Sequence, residues 1–164
     1  MKQNGIISAP VINTNTSPEP VSVNEIKDFL HISNDTEVNS LSIMGKAARK
    51  LLEHYTGRYF KPVNITVRLK NELGNYSLPY MANGAVIYKD TDAAVISDFD
   101  LEDAYDYEFT ATFDTGYTSL PEDLKQAILM QVAFMYANRG DDNNAGSLSK
   151  SALALANSYR VISI

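Results

Sequence analysis

Between residues 107 and 139 the hydrophobic pattern changes period, and that change constrains every fold open to this chain. Tyr107, Phe109, Ala111 and Phe113 alternate with other residues, as on a strand with one buried face. Leu124, Ile128, Val132 and Met135 then recur at helical spacing, widened by Ala127, Gln131, Phe134 and Tyr136. Pro121 suits the first helical position, where its missing N–H costs nothing, and Glu122 and Asp123 favour the positive end of the helix dipole. Arg139 and Gly140 supply a cation and a stop at the other end. The pattern therefore predicts a strand followed by a long helix over 121–139.

Upstream, Ser22 and Glu25 have capping-box spacing and predict a short helix over 22–31, with Ile26, Phe29 and Leu30 apolar. Asn34 and Glu37 repeat the device and open a longer helix over 35–56. There Val38, Leu41, Ala48, Leu52 and Tyr55 keep helical spacing, while Lys46, Arg49, Lys50 and Glu53 fall mostly on the other side. Gly45 interrupts this helix at a cost of about 1 kcal/mol against alanine, which points to a close helix crossing. Gly57 is a natural stop. Val63, Ile65, Val67 and Leu69 alternate as a strand; 85–88 and 94–97 read as shorter ones, giving a β region over about 62–114. A shorter Ala/Leu-rich helix follows over 147–158, then an extended tail. Residues 1–20, rich in Asn, Thr, Ser and Pro, read as a flexible arm. The expected fold is α+β but mainly α: a single domain over 21–164 with two long packed helices, shorter helices, and a small β region inserted between the long ones.

Composition narrows the chemistry. With 164 residues, 45% hydrophobic and 21% charged, the chain has the make-up of one ordinary soluble domain. It has no cysteine, which removes disulfides, zinc–thiolate sites and thiol nucleophiles. No apolar run approaches the roughly 20 residues a membrane span needs, and the first apolar segment is too short for a signal peptide, so cytosolic synthesis is expected. A formal net charge of −6 argues against nonspecific DNA binding by the surface as a whole, though not against surrounding DNA without gripping it.

No catalytic constellation is legible. Asp98, Asp100, Glu102, Asp103 and Asp106 cluster, but a calcium loop needs glycine at its sixth position and glutamate at its twelfth, where this chain has Asp103 and Phe109. Asp98, Asp100 and Glu102 are cation candidates by composition alone, against a solvated acidic turn. His31 and His54 are far apart, no Gly-x-Ser-x-Gly elbow occurs, and no glycine loop is built for phosphate. The expectation is a protein without enzymatic activity or cofactor. Partner contact is the alternative use of its surface. Leu129, Met130, Phe134 and Tyr136 do not fit one narrow stripe, so a monomer would expose some that an oligomer would bury. Lys46, Arg49, Lys50 and Arg58 form a basic strip, read either as a solvated face with Arg49–Glu53 pairing or as contact with an acidic partner.

Four segments, in order, resemble the head–tail connector (adaptor) proteins of long-tailed bacteriophages and related prophages. They are residues 19–33, 47–58 (AARKLLEHYTGR), 115–139 and 159–161 (YRV). The likeness covers roughly 19–161, and the sequence departs from the family pattern over about 71–106 and in its polar leader. The resemblance implies a structural ring, twelvefold in the virion, that assembles beneath the portal, extends the DNA channel and docks tail or stopper proteins. Its partners would be copies of itself, the portal protein, a tail-completion or stopper protein and passing double-stranded DNA held without specific binding, with no membrane. The location implied is the virion's head–tail interface, after synthesis in the bacterial host cytoplasm. Leu129, Met130, Phe134, Tyr136, Arg139, Arg49, Arg58, Tyr159 and Arg160 are the candidate contact residues. The alternative is a small non-enzymatic interaction module of unrelated role, which sedimentation in the presence of portal rings would separate from a ring adaptor.

Overall fold

The computed structural model describes residues 6–14, 17–71, 78, 80, 82–96, 107–141 and 146–161, so the acidic candidates Asp98, Asp100 and Glu102 lie outside the described residues. The chain forms two compact units. Among the described residues, one comprises those of Pro62–Tyr117 with the N-terminal segment up to Ser17; the other comprises those of Pro18–Lys61 and Thr118–Val161.

The first unit is an antiparallel sheet of strands β1 (Val11–Thr14), β2 (Val63–Asn71), β3 (Ile87–Lys89), β4 (Val95–Ile96) and β5 (Tyr107–Thr115), in the order β1-β2-β5-β3-β4. Its centre is the β2–β5 pair, in register from Val63 opposite Thr115 to Asn71 opposite Tyr107. Val63, Ile65, Val67 and Leu69 face one side with Phe109, Ala111, Phe113 and Thr115, and all eight are buried. Tyr88 meets Phe109 edge-on, with ring centroids 5.9 Å apart. The opposite side is polar and its groups pair across strands: Asn64 donates to Asp114 (2.7 Å), the Thr66 and Thr112 hydroxyls share a hydrogen bond (2.8 Å), and Arg68 reaches Glu108 (3.0 Å). Cross-strand pairs of this kind fix register.

This sheet corrects the expected mainly α architecture. The fold is α+β, with five strands and four α-helices among the described residues, and the β portion is a unit in its own right. Part of the difference comes from the leader. Within the segment read as an arm, Val11–Thr14 forms β1 and pairs with β2, and Ile6 bridges Leu69.

The second unit holds α1 (Val23–Leu30), α2 (Val38–Thr56), α3 (Glu122–Ala137) and α4 (Lys150–Ala156), followed by a 3-10 turn at Asn157–Tyr159. α1 begins with the predicted capping box: Ser22 Oγ accepts from the Glu25 N–H at 3.2 Å, and the Ser22 N–H donates to Glu25 Oε2 at 2.7 Å. The Ser22 hydroxyl also donates to Glu25 Oε2 at 2.6 Å; that bond, then the one from the Ser22 N–H, favours the ionised carboxylate, so the Glu25 carboxyl sits below its usual range. At Gly45 a Cβ would lie 2.9 Å from Ile26 Cδ1, so α1 packs into the notch that the glycine leaves in α2. α2 and α3 pack together with Leu41, Ala48 and Leu52 buried on one and Leu124, Ala127, Ile128 and Val132 on the other. Each such large side chain contributes about 1.5–3 kcal/mol of burial.

The start of α2 differs from the expected second capping box. Asn34 Oδ1 accepts from the Thr36 N–H and hydroxyl, making a turn, and the helix begins at Val38. Glu37 is drawn away from the helix end by stronger partners at and just beyond the C-terminal end of α3.

Candidate interaction surfaces

Those partners are Tyr136 and Arg139, both singled out in the sequence. The Arg139 guanidinium grips both Glu37 oxygens at 2.9 and 3.0 Å, the Tyr136 hydroxyl donates to Oε2 at 2.8 Å, and the guanidinium lies 3.8 Å over the Tyr136 ring. A forked cation on a carboxylate and a cation on an aromatic face reinforce one another. The α3 end is thereby tied to the α2 start. The Arg139 hydrogen bond, then that of Tyr136, holds the Glu37 carboxyl down at about 2. A carboxyl lowered in the folded state stabilises the protein above its unfolded pKa and loses that contribution as pH falls. The knot should therefore weaken between the ordinary carboxylate range and pH about 2. Thermal melts of wild type and Glu37→Gln should differ most at neutral pH and converge toward pH 2; a constant difference would show that the Glu37 charge is not what matters.

Arg49 takes no part in an exposed basic strip. Its side chain is buried, its Nε donates to Glu19 Oε2 at 2.7 Å, and its Nη1 meets Glu53 Oε2 at 2.5 Å. Lys61, also buried, reaches Glu19 at 3.3 Å, and the Phe60 N–H donates to Glu53 Oε1 at 2.7 Å. Burial would raise the Glu19 carboxyl, but Arg49 and Lys61 outweigh it and leave it lowered.

Arg58, Tyr159 and Arg160 are brought together at the C-terminal end of α2. Arg58 Nε donates to the Tyr159 carbonyl at 2.7 Å, the Tyr55 hydroxyl lies 3.1 Å from Asn157 Oδ1, and the Arg160 guanidinium stands 5.3 Å over the Tyr55 ring. The Val161 N–H closes the contact on the Thr56 carbonyl at 2.8 Å. On α3, Leu129, Met130 and Phe134 are half-buried beside the fully buried row. Lys46 and Lys50 are exposed on α2, as is Ile43 between them and the helix start.

Sequence reading missed the apolar edges of the sheet. Val11 and Ile12 on β1, Ile87 on β3 and Val95 on β4 are all exposed. Short β-branched runs were the available signal, at VINT (11–14) and at Val95–Ile96. Among the described residues no group of three or more His, Cys, Asp or Glu side chains is placed to hold a metal ion, and no helix is long and apolar enough to cross a membrane.

No protein-family model matches the chain. No curated protein matches it. Solved structures do. A chain in the neck of an empty gene transfer agent (GTA) particle, computed with C6 symmetry, aligns with a TM-score of 0.75 at 17% identity, covering 96% of this chain and 97% of that one. A chain of the virion of a native GTA particle aligns at 0.71 with 18% identity and the same coverage. A chain in the neck of a native GTA particle, computed with C12 symmetry, aligns at 0.61 with 16% identity, covering 94% of this chain and 97% of that one. The likeness spans both units and is one of fold.

Proposed function

We propose that this chain is a non-enzymatic structural protein in the neck of a phage-like particle. Copies form a ring beneath the portal, lengthen the channel through which DNA passes, and offer a docking surface to tail or stopper proteins. The observation that carries this reading is the end-to-end fold match to chains from GTA necks, covering at least 94% of this chain and 97% of theirs. The symmetric necks in which those chains sit, together with half-buried Leu129, Met130 and Phe134 on α3, support self-assembly. The net charge of −6 suits a wall past which phosphates slide without being held. The test is removal of this reading frame from the genome that encodes it. DNA-filled heads without tails are expected; tailed, infective particles would refute the reading.

A further inference from the structure

Of the large apolar side chains among the described residues, Val95 is the most exposed, at 71%, and Ile43 the next, at 67%. They lie in different units, Ile43 among lysines and Val95 near two carboxylates and one lysine. Ile43 shares one exposed face of α2 with Asn39, Lys46, Lys50 and His54, residues three or four apart along the helix. Neither lysine is in an ion pair among the described residues, although the chain as a whole is acidic. Val95 lies on β4, the outermost strand of the sheet, opposite exposed Lys89 on β3 and beyond a turn that carries Asp90 and Asp92. That turn is fixed: Asp90 Oδ1 accepts from the N–H groups of Asp92 (3.0 Å) and Ala94 (2.8 Å). Asp92 is exposed at its tip.

We propose that the β3–β4 hairpin of one copy docks on the outer face of α2 of a second copy, with Val95 against Ile43 and Asp92 against Lys46 and Lys50. An apolar centre ringed by charge is the usual anatomy of such a contact. Pairing of α2 with α2 would set ammonium against ammonium, whereas the hairpin carries two carboxylates to one lysine, so the charges favour the unlike pair. Two different patches meeting make a heterologous contact, which repeats from copy to copy and closes as a ring where the rotation permits. The inference rests on the self-assembly proposed above and names its surfaces.

The chain has no cysteine, so single thiols can report the contact. Ile43→Cys protein and size-tagged Val95→Cys protein, mixed under a mild oxidant and run on a non-reducing gel, should give the mixed dimer in excess over either homodimer by about tenfold. A chain carrying both substitutions should give a ladder. Adding Lys46→Glu and Lys50→Glu should abolish the excess, and Asp92→Lys in the partner chain should restore it. Homodimers as abundant as the mixed dimer, or an excess indifferent to charge reversal, would overturn the contact. Rings seen by electron microscopy without the cross-link would overturn this contact and leave the neck reading standing. The cross-link in a protein whose loss leaves tails intact would do the reverse.

Discussion

Replacing Arg49 with alanine is expected to destabilise the protein by about 3 kcal/mol or more, because it strands two partly buried carboxylates. The guanidinium bridges Glu19 and Glu53 at 2.7 and 2.5 Å from a side chain only 7% exposed, and Lys61 alone cannot serve both acids. For a chain of this length the loss corresponds to a fall in melting temperature of about 6–12 °C. Arg49→Lys should recover only part of it, since a single ammonium lacks the fork that serves two carboxylates. Arg49→Met combined with Glu19→Gln and Glu53→Gln should recover more, because the stranded charges are gone. The pH dependence has a definite sign. The Glu19 carboxyl is held below its ordinary range, so the network stabilises above that range and fades as acid protonates the carboxylates. The gap between wild type and Arg49→Ala, read from urea melts, should be largest at pH 7 and shrink in acid. A cost below about 1 kcal/mol at neutral pH would mark the network as no stronger than a surface pair.

The same network shows where sequence reading runs out. The Arg49–Glu53 pair follows from a spacing of four and was legible. Glu19 lies 30 residues away in a segment without periodicity, and nothing local announces that it completes the site. Strong local signals fared best. The Ser22–Glu25 box is made as expected, Gly45 marks a close approach by Ile26, and the alternation of β2 and β5 gives their buried face apart from half-buried Tyr107 and unforeseen Thr115. Helix ends lie within a few residues of expectation, as local signals allow. The extent of the sheet was not legible, since strand pairing is long-range and β1 is a four-residue run in a polar leader. At Glu37 a valid local motif lost to a tertiary one: a forked arginine and a tyrosine outcompete a helix N-cap. Of the contact candidates, Arg49 is committed within its own unit, and Tyr136 and Arg139 close the Glu37 knot. Leu129, Met130 and Phe134 keep part of their apolar surface available to a partner.

Gln131 carries the second large effect, and its role was invisible in the sequence, where it merely widened an apolar stripe. It is fully buried in the middle of α3, and both ends of its amide are used. Nε2 donates to the Ser147 carbonyl at 2.9 Å, and Oε1 accepts from the Ser149 N–H at 2.8 Å. Ser149 is the N-cap of α4, its hydroxyl accepting from the Ala152 N–H at 3.1 Å, so one side chain on α3 fixes where the next helix begins. Gln131→Leu keeps the volume but leaves a backbone donor and an acceptor without partners, at an expected cost of about 3 kcal/mol for the two together. Gln131→Glu separates hydrogen bonding from packing. Its carboxylate can still accept from the Ser149 N–H but opposes the Ser147 carbonyl, and burial penalises its charge. That raises its folded pKa above the unfolded value, so the variant binds a proton more readily when folded and regains stability as pH falls. The protonated acid can then donate to Ser147 as the amide does. Urea midpoints measured from pH 7 to pH 4 should rise for Gln131→Glu relative to wild type and stay uniformly low for Gln131→Leu. If Gln131→Leu instead unfolds at the wild-type midpoint, contacts other than this amide hold the start of α4, and the two hydrogen bonds are incidental.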